Sequence, residues 1–491
     1  MGDDLKKKMV SALTWTMVDR FGQQAIQLVI GLIFARLLSP SEFGLLGLVM
    51  VYAALSYVLV ESGFTQALIR KQDANETDFN TVFYFNIFVS IALYLILYLT
   101  VPFIAEYFHQ PQLIPIGRTV FLAIIFNAFC LVPSTKLTKA LDFKTIAKIN
   151  IISIIFSGSF GLTLAFMHFG VWALVAQQVL FNMFRAIAFQ IFVKWRPQRI
   201  FSFNVIRGFW KFSLNLLGTS ILNVLFNNLY ILLLGLYYPI KQVGYYTQAN
   251  KLSDTFNFTF QSILTSSTYP LFAQIQNDDD RFRRIFREIA KKTSIITFPI
   301  MIVLIASAKP FIFVLLTEKF LPAVPYFQLL CLASLFTPLY TLNVSALNSR
   351  GKSKITFRIE VLKKIAILLS VVICFKFGFM AMLWGFVIAC SVAFLISTVY
   401  IKKELQHYFK HQLVDFSTTI LIGVLIAICA FGLSFIIKNN HLLLGSQIAV
   451  SAILYLLSIK LFFNDLYNEV FQFLAKKIAS IKSKSNINTV E

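Results

Sequence analysis

Apolar residues run along almost the whole chain in stretches of roughly 20, separated by short polar segments. About fourteen such stretches can be marked, the first over 12–34 and the last over 442–463. A helix of that length crosses the hydrocarbon core of a bilayer. Helices satisfy all their own backbone groups there, which open strands cannot do. The pattern predicts an all-α polytopic membrane protein with about fourteen transmembrane helices.

Lysine and arginine add an orientation. Sorted by loop, 34 of the 44 basic residues fall on the side of the N-terminus and 7 on the other, with Arg20, Arg185 and Lys251 left in mid-span. Basic residues stay cytoplasmic, so both termini are expected on the cytoplasmic side of the membrane. Lys6, Lys7 and Lys8 precede a long first span with no short apolar core and no small-residue cleavage site, which predicts an uncleaved signal-anchor.

Composition agrees. The 491 residues are 58% hydrophobic and 13% charged, with 53 Phe and mean hydropathy +0.74. A net charge of +22 could suggest nucleic acid. The basic residues are scattered over many short loops, which excludes that partner. The longest basic run, Arg281 to Lys292, interleaves with Phe282, Ile285, Phe286 and Ile289 and predicts an amphipathic helix lying on the anionic inner leaflet.

A weak repeat divides the chain. Pro40 to Gly44 in the first hairpin turn matches Pro239 to Gly244 six helices later. An even shift keeps the orientation, so two six-helix lobes form a parallel pseudo-repeat. The expected organisation is an N-terminal lobe over 1–194, a cytoplasmic linker over 195–208 and a C-terminal lobe over 209–401. Two further helices over 402–463 and a cytoplasmic tail over 464–491 follow.

Polar stripes mark the candidate site. The first helix carries Thr16, Asp19, Arg20, Gln23, Gln24 and Gln27 on one face. The seventh carries Asn215, Thr219, Asn223 and Asn227 at intervals of four, and the eighth carries Gln248, Lys251, Asp254, Thr255, Thr259 and Ser262. Glu61, Asn182 and Arg185 add to them. Interhelical hydrogen bonds and local pairs (Asp19 with Arg20, Lys251 with Asp254) are one explanation. A water-filled cavity between the lobes is the other. On the second, Arg20, Arg185 and Lys251 make the cavity cationic and suited to phosphate or carboxylate.

No nucleotide-binding, zinc-protease or hydrolase motif is present, so neither an enzyme nor a cofactor is expected. Asp278-Asp279-Asp280 resembles a metal-binding acidic motif but precedes a helix, where a capping role is expected. The five cysteines lie in apolar stretches without pairing spacing.

Several segments together resemble the polysaccharide exporters of the multidrug/oligosaccharidyl-lipid/polysaccharide superfamily, of the colanic acid and teichuronic acid exporter type. They are Phe34 to Leu38 with Glu42 to Leu46, Ser62-Gly63-Phe64, Ile69-Arg70-Lys71, Tyr269 to Gln276, Thr317 to Phe320, Gln328 to Cys331 and Ala346 to Gly351. The resemblance covers the first twelve helices. It implies a V-shaped cavity between two lobes and translocation of undecaprenyl-diphosphate-linked oligosaccharide across the inner membrane of a bacterial cell for cell-surface polysaccharide synthesis. For that cargo Arg20, Arg185 and Lys251 are candidates for the diphosphate, Gln24, Asn215, Asn223 and Asn227 for sugar, and Asp19, Glu61 and Asp254 for coupling to a proton or sodium ion. Membrane lipids, a counter-ion and the glycosyltransferases and polymerase of the pathway are the implied partners. An ion-coupled multidrug antiporter of the same superfamily and a membrane-embedded polymerase are the rival readings. The mid-span cations oppose the first, and the absence of a large outer loop opposes the second.

Overall fold

The computed structural model describes residues 2–61, 63–405 and 409–464; the side chains of 2–10, 215, 405 and 409–415 are outside the description. Ser62, His407 and the tail beyond residue 464 therefore lie outside the described residues.

The described residues fold into helices without strands. In chain order these are α1 (Gly2–Leu37), α2 (Pro40–Glu61), α3 (Phe64–Arg70), α4 (Glu76–Tyr107), α5 (Leu113–Val120), α6 (Leu122–Lys139), α7 (Phe143–Phe166), α8 (Val171–Phe192) and α9 (Phe203–Tyr237). Then come α10 (Ile240–Gln274), α11 (Asp279–Ala306), α12 (Ala308–Leu316), α13 (Val324–Ala333), α14 (Thr337–Ser349), α15 (Ser353–Cys374), α16 (Phe379–Leu405), α17 (Phe409–Gly432) and α18 (Asn440–Phe462). Their starts follow local chemistry. Asn75 and Asp78 form a reciprocal capping box at α4. Asp142 caps α7 through Thr145 N–H, and Asp278 caps α11 through Arg281 N–H, so the acidic triplet is a helix start.

Among the described residues eleven helical segments are long and apolar enough to cross a membrane, and the protein is a multi-pass membrane protein. The difference from fourteen has a physical origin. Helices α1, α10 and α15 are long, with 36, 35 and 22 residues, but are diluted by polar side chains. Two of these three carry the stripes.

Packing groups the chain into two compact units. One comprises Met1–Lys251 with Leu315–Ala323; the other comprises Leu252–Val314 with Val324–Glu491. In the first, α1 packs along α7, α7 along α8, and α9 along α2. The segment between α8 and α9 is fastened down. Trp195 Nε1 donates to Glu76 at 2.7 Å, Gln198 N to Asn80 Oδ1 at 2.7 Å and Ser202 N to Thr81 Oγ1 at 3.1 Å. Lys136 completes the knot, 2.6 Å from Glu76 and over the Trp195 ring.

The second unit corrects one expectation. Arg281 to Lys292 is the start of the long α11, not a separate surface helix. Phe282 and Phe286 are fully buried, and the Phe282 ring stacks on Phe272 at 4.9 Å. The apolar face is covered by protein, while Arg281, Arg284 and Arg287 remain exposed. A moment calculated from sequence cannot tell which apolar medium covers a face.

Candidate functional site

Two polar cavities lie in the first unit. One, of about 430 Å³, is lined by Tyr57 and Glu61 of α2, Asn127 and Ser134 of α6, and Gln178, Asn182 and Arg185 of α8. Gln178, Asn182 and Arg185 are spaced three or four apart, so α8 turns all three to one side. Asn182 Nδ2 donates to the Tyr57 hydroxyl at 3.4 Å and to the Gln178 carbonyl at 3.0 Å.

Arg185 is close enough to act electrostatically on Glu61, Tyr57 and Cys130. Its Nε is buried without a hydrogen-bond partner, and its guanidinium lies 5.7 Å from the centre of the Phe189 ring. A cation with unused donors and a carboxylate thus share one polar chamber. Such a chamber can hold an anion or a hydroxyl-rich group by charge-assisted hydrogen bonds.

The second cavity, of about 250 Å³, is lined by Gln27 and Gly31 of α1, Gln177 and Gln178 of α8, Asn228 of α9, and Thr247, Gln248 and Lys251 of α10, with apolar neighbours. Lys251 sits deep among protein atoms yet keeps accessible surface, as a side chain lining a chamber does. Gly31 makes room for it: a Cβ at that position would stand 3.1 Å from Lys251 Nζ. Thr247 Oγ1 is buried there without a hydrogen-bond partner. Gln178 lines both cavities, so one residue of α8 separates the chamber of Arg185 from that of Lys251.

The structure brings Arg185 and Glu61 into the first cavity and Lys251 into the second. Asp19 has a different setting: it accepts from Gln23 Nε2 at 2.8 Å and from Asn150 Nδ2 at 3.2 Å, tying α1 to α7. Arg20, Gln24, Asn223, Asn227 and Asp254 line neither cavity. The Asn215 side chain lies outside the description. Sequence reasoning missed Gln177, Gln178 and Asn228, although Gln178 lies one turn from Asn182 on the face that also carries Arg185. Asn228 adjoins the predicted Asn227 and is the one that points into a cavity.

Solved structures of membrane transporters share this fold. The lipid II flippase MurJ in an inward closed conformation superimposes with a TM-score of 0.71 at 15% identity, over 92% of this chain and 99% of that one. An inward-facing MATE multidrug transporter gives 0.59 at 14% identity, over 80% and 98%. Residues 33–325, more than half of the chain, match the model of the polysaccharide biosynthesis protein family, and the chain belongs to that family. Among its relatives, the teichuronic acid biosynthesis protein TuaB of Bacillus subtilis (strain 168) is 25% identical, over 91% of this chain and 93% of its own. The lipopolysaccharide biosynthesis protein WzxC of Escherichia coli (strain K12) is 24% identical over 89% of each.

Proposed function

We propose that this protein moves a lipid-linked oligosaccharide across the bacterial inner membrane for cell-surface polysaccharide synthesis. The observation that carries the reading is the pair of adjoining cavities in the first unit, with Arg185 at one, Lys251 at the other and Gln178 common to both. A glycan diphosphate needs fixed cations for its phosphates and amides and hydroxyls for its sugars. Such groups are costly inside a membrane unless a polar cargo or water meets them.

In this reading all fourteen long helical segments cross the membrane and both termini are cytoplasmic. Lobes 1–194 and 209–401 rock about the site in alternating access. The sugar head crosses inside while the prenyl chain stays in lipid. Arg185 and Lys251 attract the diphosphate, with Arg20 at the approach along α1. Gln24, Asn223 and Asn227 belong to the wider polar surface that the moving glycan meets, together with Asn215. Glu61, and in the same role Asp19 or Asp254, couples the cycle to a proton or sodium ion. The pathway's glycosyltransferases supply the cargo and its polymerase consumes it.

The test is removal of the protein from its host, with lipid-linked oligosaccharide measured on each face of the inner membrane. Accumulation on the cytoplasmic face with loss of surface polysaccharide is the expected result. Unchanged surface polysaccharide in a host lacking another exporter overturns the reading.

A further inference from the structure

Like Arg20, one further cation of the membrane-spanning region lines neither cavity. Arg118 is the sixth residue of the span Leu113–Lys139, about 8 Å along the helix from its start. It lies at the end remote from Lys136 and Lys139, which are bound into the knot around Glu76, Leu68 and Lys71. None of the ion pairs among the described residues includes Arg118. Its Nε is buried with no hydrogen-bond partner. The contact its guanidinium does make is with the face of Tyr98, 4.1 Å from the ring centre.

A ring face neutralises little of a guanidinium charge. It offers quadrupole attraction but no hydrogen-bond acceptor, so the in-plane N–H donors stay unused. An arginine left that way at membrane depth is costly, and the usual resolution is an acceptor from outside the helix. The surroundings say where the acceptor comes from. Tyr98 is 36% exposed, and Leu95 and Leu99 on the same helix are 53% and 68% exposed. In a membrane protein that surface faces lipid. Tyr94 extends the flank, its ring 5.9 Å from that of Tyr98. The site is thus a cation held against an aromatic wall, open laterally to the bilayer and about one and a half helical turns below a helix end. For a span of this length crossing a bilayer, such a position falls near the level of the lipid headgroups.

We propose that Arg118, backed by Tyr98, binds the phosphate of a membrane lipid on the outer flank of α4 and α5. On the orientation given above this is the outer leaflet. The fork of N–H groups matches a phosphate bidentately, and the stacked ring fixes its plane. Two lipids carry that chemistry there: an anionic phospholipid of the bilayer, and a prenyl diphosphate of the kind carried.

The purified full-length protein can be tested by native mass spectrometry with phosphatidylglycerol, phosphatidylcholine or undecaprenyl diphosphate as the added lipid. The expected result is preferential retention of one anionic lipid, with affinity reduced on the order of tenfold in Arg118→Gln and largely kept in Arg118→Lys. Lys376→Gln serves as the unaffected control. Selective loss of phosphatidylglycerol supports the site with bulk phospholipid as the source; selective loss of undecaprenyl diphosphate supports it with the prenyl lipid. Should Arg118→Gln fail to fold, Arg118→Met and Tyr98→Leu give the same reading through weakened retention. Equal retention of both anionic lipids by wild type and folded variants overturns the proposal. That outcome leaves the transport reading standing, because Arg118 lies outside both cavities.

Discussion

Gly44 and Gly244 meet backbone to backbone. A Cβ on Gly44 would stand 2.2 Å from the Ile240 carbonyl oxygen, and one on Gly244 would stand 1.7 Å from the Pro40 carbonyl oxygen. Each would also approach the other glycine's nitrogen, at 3.1 and 3.2 Å. These are the two glycines of the sequence repeat. The repeated turns are therefore each other's packing partners, with each glycine facing the first residue of the other's helix. Further along the same pair, Gly47 faces Thr247, whose hydroxyl would be 2.9 Å from a Cβ there.

No side chain fits this crossing without separating α2 from α10. Gly244→Ala and Gly44→Ala are expected to lower stability by roughly 1–3 kcal/mol each, the usual cost of overpacking. Thermal melting of the detergent-purified variants checks this. Gly218→Ala, where a Cβ meets nothing within 4 Å, is the control and should leave stability equal or slightly raised. Equal melting of all three variants would show that the crossing is loose.

Lys251 and Gly31 form a second glycine-dependent pair, with a functional consequence. Lys251→Gln and Arg185→Gln are each expected to reduce surface polysaccharide by about tenfold, equivalent to about 1.4 kcal/mol, at unchanged protein level. Gly31→Ala keeps the charge but pushes Nζ from its seat. Its expected effect is smaller, on the order of two- to threefold, because the long lysine side chain can give way. Polysaccharide quantified against membrane-protein abundance in the same cells decides the order of effects.

Asp19 is a joint between α1 and α7. Both of its oxygens accept from amides, and Asn150 Oδ1 is buried without a partner of its own. Asp19→Asn turns one acceptor into a donor that faces donors. The expected loss is about 1–3 kcal/mol, seen as a lower melting temperature. In a double-mutant cycle with Asn150→Leu the two losses should fall short of additive by on the order of 1 kcal/mol. Full additivity would show that the two residues do not share the interaction, and would leave Asp19 free for the coupling role.

Much of this was readable from residues alone, for reasons that differ by element. Arg185 and Lys251 stood out because a charge inside an apolar stretch is costly and therefore rare. The Pro–Gly repeat was legible because turn residues sit at fixed offsets, although its mutual contact was not. The amide stripe on α9 was read as a face, but an interval of four advances by about 40° each step. A stripe of that spacing drifts, and Asn228 rather than Asn227 reaches the cavity. Gln177 carries no such signal, since isolated amides in apolar helices are common packing residues, whereas Gln178 is legible as the residue one turn before Asn182 on the face of Arg185. The three helices that fall short of a simple apolarity threshold show the same conflict from the other side: polar residues that mark a site also hide the span that carries them.

The basic start of α11 separates a packed face from a lipid-facing one. Phe282 is fully exposed to neither lipid nor water; it lies between the stacked Phe272 ring and the Arg350 guanidinium, 4.5 Å from its own ring centre. Arg350 in turn pairs with Asp279 and donates to the Glu404 carbonyl at 3.3 Å, so the ring lies under a latch joining α11, α14 and α16. Phe282→Ala is expected to cost about 3–5 kcal/mol through the cavity it leaves. Arg284→Ala, on the exposed side, should change stability by no more than about 0.5 kcal/mol. If the aromatic face served the bilayer instead, the ranking would reverse with lipid: Phe282→Ala would melt like wild type in detergent and lose stability only in anionic liposomes. Melting curves of both variants in detergent and in liposomes distinguish the two arrangements, and a large loss for Phe282→Ala in detergent alone is the outcome that the stacking requires.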